Sequence, residues 1–229
     1  MARTYRALAA LLAYPTEALQ AATAEIFASL VEEALLPAEH RYAIGAFMSE
    51  IATTDIYVLQ ERYVSLFDRS RTLSLHLFEH VHGESRDRGQ AMADLITLYE
   101  SQGLEMALGE LPDFLPLFLE FLSLLPHAEA QTMLAEPAGI LRALADRLAG
   151  RDAGYGAVMA AIAELAAAPA LAVSDIPEED PDDLEAMDAA WEEAAVHFGP
   201  GESGDGCSTE RLRTRLRAAS RDVASHHAA

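Results

Sequence analysis

LPDFLPLFLEFLSLLP, residues 111–126, dictates more about the fold than any other stretch of this chain. It is apolar on nearly every side, with Glu120 as the lone charge in its middle. A helix of that kind is buried centrally or lines an apolar groove. Asp113 is placed to cap it, and Pro116 is tolerable in its first turn. The rest of the chain must therefore supply walls around it.

Those walls read as helices. Ile44, Phe47, Met48 and Ile51 repeat at i, i+3, i+4 and i+7, and Ile56, Leu59, Tyr63 and Leu66 do so after Asp55, a good N-cap residue. Met92, Leu95, Ile96 and Tyr99 form a stripe that should stop at Gly103, with Leu104 placed to close a Schellman-type cap. Leu141, Leu144 and Leu148 form another, as do Tyr155, Val158, Met159 and Ile162. Pro15, Pro37, Pro126, Pro137 and Pro169 fall between stripes, where helices start and stop. No segment alternates with period two. The expected fold is all-α, a single-domain helical bundle over residues 1–169. An acidic linker with an accessory helix follows over 170–206, then a basic tail over 207–229.

Composition narrows the function. The net charge is −21, every basic residue is arginine, and 51% of residues are hydrophobic. A surface this acidic repels nucleic acid and anionic lipid and attracts a basic partner. The single cysteine, Cys207, fits a reducing compartment. Arg3 and Arg6 precede a short apolar run that ends at Pro15, and Tyr5, Leu8 and Leu12 repeat there at helical spacing. That run reads as a first helix rather than a signal peptide. No apolar stretch reaches the ~18–20 residues a membrane span needs. The expectation is a cytoplasmic protein.

Two short motifs suggest chemistry. HLFEH, residues 76–80, is H-x-x-E-H, the zinc pattern of inverted metallopeptidases. On a helix His76 and His80 would lie one turn apart with Glu79 beside them; Glu110 and Glu120 are third ligands only by residue type. The bland reading makes both histidines ordinary helix residues. Downstream, Arg86 and Arg88 of GESRDRGQ, with His82 just before it, are candidates for a phosphate or cofactor, against a self-paired charge cluster. No nucleophile motif is present. The apolar helix with embedded acids suits a groove for a basic amphipathic helix, while Phe114, Phe118 and Phe121 could equally be plain core.

The block YVSLFDRSRTLSLHLFEHVHGESRDRGQAMADLITLYESQGL, followed by ELPDFLPLFLEFLSLLP, resembles the NarJ type of assembly chaperone, the delta subunit of respiratory nitrate reductase. That type falls within the TorD-like redox-enzyme maturation chaperones. The likeness is strongest over residues 57–126 and resumes at AWEEAAVHFG, residues 190–199. It implies a non-enzymatic, all-helical chaperone that carries no cofactor of its own. Its partner would be the apo catalytic (alpha) subunit, bound by its N-terminal segment in the cytoplasm. It would hold that subunit for insertion of molybdenum cofactor and iron–sulfur clusters, before docking onto the membrane subunit. The wider family's E-x-x-D-H motif is matched by Glu110 and Asp113, with Phe114 in place of histidine. Asp68, Glu79, Glu84, Glu110, Asp113 and Glu120 are then expected to face client arginines. Phe114, Leu117, Phe118 and Phe121 are expected to form or support the groove floor. Some members bind nucleotide or cofactor, which keeps His82, Arg86 and Arg88 as a secondary site. The alternatives are a zinc hydrolase built on HLFEH and a nucleotide or cofactor carrier.

Overall fold

The predicted stripes are buried as helices in a computed structural model that describes residues 2–69, 71–82, 87–106 and 109–167. The linker, the accessory helix and the tail lie outside the described residues, as do Pro169, Glu84, Arg86 and the side chain of His82. Along the chain run α1 (Arg3–Leu12), α2 (Glu17–Glu33), α3 (Ala38–Thr53), α4 (Ile56–Phe67), a 3-10 turn at Arg71–Leu73, α5 (Glu79–His82), α6 (Asp87–Ser101), α7 (Leu115–Leu124), α8 (His127–Leu134), α9 (Ala138–Arg151) and α10 (Ala153–Leu165). The described residues contain no strand, only an isolated antiparallel bridge between His76 and Phe114.

The apolar helix sits at the centre, as its composition requires. Leu115, Leu119, Phe121 and Leu122 of α7 are fully buried. The helix packs against α1 and α8, and α1 in turn touches α2 and α10. The first helix earns its place through Tyr5, Leu8, Leu11 and Leu12, none of them exposed. Its free N-terminal amides are met from elsewhere. The Glu33 carboxylate accepts from the Arg3 and Thr4 amides, and the Ala2 amide donates to the Ser123 carbonyl at 3.1 Å. These bonds satisfy donors that a helix start leaves unpaired.

Local signals were accurate at several ends. Asp55 caps α4 by accepting from the Tyr57 amide. Gly103 takes φ +76°, its amide donates to Glu100 and the Leu104 amide to Tyr99, the two bonds of a Schellman motif. Two expectations need correction. The apolar helix begins at Leu115, not at residue 111, and Asp113 makes no cap bond to it. Ile96 stands out of its stripe and is exposed, so the buried face of α6 is carried by Ala91, Leu95, Leu98 and Tyr99.

One residue turns the chain between α9 and α10. Asp152 ends the first helix in extended conformation and caps the second by accepting from the Tyr155 amide at 2.9 Å. The same carboxylate holds Arg62 of α4 in a two-pronged pair, and Arg62 also reaches Glu50 of α3. The guanidinium lies over the rings of Phe47 and Tyr155. A nearly buried carboxylate with two jobs predicts a graded loss. Asp152→Asn keeps a capping side chain but not the charge. Asp152→Ala loses both and should lower the unfolding free energy by about 3 kcal/mol. Urea unfolding should rank wild type above Asn and Asn above Ala; equal Asn and Ala variants would mean the cap contributes nothing.

Candidate site around Asp113

The stretch from Ser74 to Phe78 has no room to be a helix, because it is pinned across the start of α7. The Leu77 amide donates to the Asp113 carbonyl at 3.0 Å, and the Leu115 amide donates to the Leu75 carbonyl at 2.9 Å. The Asp113 side chain is completely buried. One carboxylate oxygen accepts from the Phe78 amide at 3.1 Å, and the other meets the His76 Nδ1 at 3.3 Å. Arg88 of α6 approaches within 3.9 Å and also pairs with Glu79 of α5 at 3.8 Å. Beside them the Tyr99 hydroxyl donates to the Pro112 carbonyl at 2.7 Å. A buried carboxylate needs this much compensation. Asp113 thus ties its own segment to the strip at residues 76–78 and to α6.

This arrangement also answers the H-x-x-E-H question. His76 belongs to the bridge and His80 to α5, so the two do not share one helix face. His76 points to Asp113 and tilts against the Phe114 ring, with centroids 5.2 Å apart. His80 turns the other way and donates from Nε2 to the Ser74 carbonyl at 2.8 Å. Each histidine is engaged by a different protein group. Among the described residues no three side chains of metal-binding type converge. Expecting the pair one turn apart on a helix was mistaken, because backbone bonding to Asp113 and Leu115 overrides the local pattern.

Next to this hub lies a cavity of about 350 Å³. Its walls are mainly apolar: Leu77 and Phe78, Leu95 of α6, Phe118 of α7, Met133 of α8 and Ile140 of α9. His80, Asp113 and Glu136 supply the polar edges. Pockets of this size, apolar with few polar groups, are where ligands bind.

The predicted site residues therefore separate. Asp113 and Phe118 meet in the cavity wall, and Glu79 joins Asp113 through Arg88. Phe114 is half-buried against His76. Leu117 and Phe121 are buried, and Phe121 packs on Tyr99 with ring centroids 4.8 Å apart. Asp68, Glu110 and Glu120 are exposed. Sequence reasoning missed Met133, Glu136 and Ile140. The one signal for Ile140 was an apolar residue just off the stripe of Leu141, Leu144 and Leu148.

The two histidines respond oppositely to acid. The hydrogen bond to Asp113 raises the His76 pKa above its ordinary 6.5, against an opposing effect of burial. Desolvation lowers that of His80, while its bond to the Ser74 carbonyl works the other way. His76 therefore contributes stability that is full below about pH 6.5 and is lost as pH rises through its raised value. His80 contributes stability that is full above about pH 6.5 and is lost as pH falls toward its lowered value. His76→Gln should cost about 1–2 kcal/mol more near pH 5.5 than near pH 8.5. His80→Gln should show the reverse trend. Urea midpoints at the two pH values check both signs.

Against this geometry, the comparisons with known proteins agree. A family model described as nitrate reductase delta subunit matches residues 16–161. The chain is 45% identical over 192 residues to the nitrate reductase molybdenum cofactor assembly chaperone NarJ of Escherichia coli K12, covering 82% of this chain and 81% of that one. It is 44% identical over 172 residues to the probable chaperone NarW of the same strain, covering 73% and 74% of the two chains. A probable NarJ chaperone of Bacillus subtilis is 30% identical over 156 residues, covering 68% and 84%.

Proposed function

Because this chain belongs to the nitrate reductase delta subunit family, we propose that it is an assembly chaperone for a nitrate reductase and not an enzyme. Its client is the apo catalytic subunit, held by the N-terminal segment while molybdenum cofactor and iron–sulfur clusters are inserted, before the subunit docks on its membrane partner. The work is done in the cytoplasm; no described helix is long and apolar enough to cross a membrane.

The observation that carries this reading is the apolar cavity beside Asp113 in a protein of net charge −21. A client segment with an apolar stripe places one or two side chains between Phe118, Met133 and Ile140. Its arginines face Glu136 and the exposed carboxylates of the surrounding surface. Apolar anchors set the affinity; the charges set orientation and encounter rate. Asp113 acts here by position. It holds Leu77 and Phe78 in the wall, and it does not itself meet the client.

A peptide of the client's first ~15 residues, enough for one short helix, tests the proposal. Titrated at low salt, it should bind and should bind more weakly as salt is added. Ile140→Asp places a charge in the apolar wall at a half-buried position and should weaken binding more than tenfold, about 1.4 kcal/mol or more. Absence of binding at low salt removes the reading. Binding untouched by Ile140→Asp moves the client to another face.

A further inference from the structure

We propose that the cavity beside Asp113 is a seat for an aromatic ring that carries its own N–H or O–H donor, and that Nδ1 of His80 is the acceptor that reads it. The client supplies that ring as a tyrosine or a tryptophan. The proposal rests on the reading of the cavity as the client's seat and names what the seat takes.

The first ground is the state of His80. Its Nε2 lies 2.8 Å from the Ser74 carbonyl, which can only accept. Nε2 therefore carries the proton, and in a neutral imidazole that leaves Nδ1 with a bare lone pair. Burial disfavours the charged ring and the nearby Arg147 adds to that effect, against the Ser74 bond and the charges of Glu79 and Asp113. Among the described residues no group donates to Nδ1. The atom is not sealed inside the protein either. His80 is part of the cavity wall, so its unused acceptor is available to an occupant. The Asp113 carboxylate in the same wall differs, because the Phe78 amide and the His76 ring already engage it.

The second ground is space and lining. A cavity of about 150 Å³ is enough to hold benzene. This one measures about 350 Å³ and has room for a bicyclic ring. Phe78 and Phe118 offer ring faces and edges, and Met133 offers a thioether, groups that suit an aromatic guest. Other side chains fit less well. A leucine fills less of the space and strands Nδ1 away from water without a donor, which is costly. A serine supplies the donor but little apolar area. An arginine would shed its water among Phe118, Met133 and Ile140, so its place is at the Glu136 edge. An indole or a phenol meets both demands at once.

Indole and benzothiophene test this, since they share a bicyclic shape and only indole has a ring N–H. Each is titrated into the full chain and followed at the methyl signals of Met133 and Ile140. The preference for indole over benzothiophene should be about tenfold greater in wild type than in His80→Leu. A second measurement covers a variant that does not fold. Nitrogen NMR of the wild-type ring should show Nε2 protonated and Nδ1 bare, with the Nδ1 signal moved by indole and unmoved by benzothiophene. A proton on Nδ1, an equal preference in wild type and variant, or no response of the cavity methyls to either probe overturns the proposal. In the client peptide, tyrosine replaced by phenylalanine, or tryptophan by benzothienylalanine, should weaken binding to wild type about tenfold at one position and leave binding to His80→Leu unchanged. A peptide that shifts the cavity methyls yet has no such position overturns the proposal while the client reading stands. Indole preference without any response to the peptide removes the client reading and leaves the aromatic seat.

Discussion

A single carboxylate with no exposure to water organises the junction between residues 74–78 and the start of α7. Asp113 accepts from the Phe78 amide and the His76 ring and is approached by Arg88. Those partners come from two different places in the sequence, the strip at residues 76–78 and α6. Their convergence aligns an irregular strip, residues 74–78, across the head of an apolar helix. Removing the charge would leave a buried amide, an imidazole and a guanidinium without their common acceptor, and such groups are costly to strand. Leu77 and Phe78 hold their places in the cavity wall because their backbone is bound to Asp113. The polar hub and the apolar cavity are therefore one construction: the first sets the shape of the second.

Much of the body was legible in the sequence. Helical period identified the buried stripes of α3, α9 and α10 because their large apolar side chains recur at helical spacing. Proline, Asp55 and Gly103 marked ends because their chemistry is local. The site was harder, for physical reasons. HLFEH looked helical because a five-residue window cannot register hydrogen bonds to residues more than thirty positions away. Asp113 looked like a cap because an acid just before a helix usually is one. Here its oxygens were claimed by Phe78 and His76 instead. Phe121 and Phe118 are three residues apart on one helix, yet one is core and the other lines a cavity. Nothing in the helix itself distinguishes them; the distinction comes from α8 and α9, which pack over one flank. Asp113 and the histidine of HLFEH that meets it lie 37 positions apart, and no local pattern in the sequence announces their contact.

The charge distribution gives the fold a second function beyond packing. With arginines engaged at Asp152, Asp113 and the Thr72 carbonyl, three basic residues tie separate elements together. The negative charge that remains keeps copies of the protein apart and favours basic, amphipathic visitors.

The pairing of the first helix with the seventh has a consequence for how the protein is made. The Ala2 amide is bonded to the carbonyl of Ser123, and α1 packs along α7. A ribosome adding about 5–20 residues per second needs roughly 6–25 s to reach the second partner after the first has been made. Throughout that interval Tyr5, Leu8, Leu11 and Leu12 emerge without the helix that covers them. The apolar face of α1 must therefore wait, uncovered, until the chain has been extended through α7.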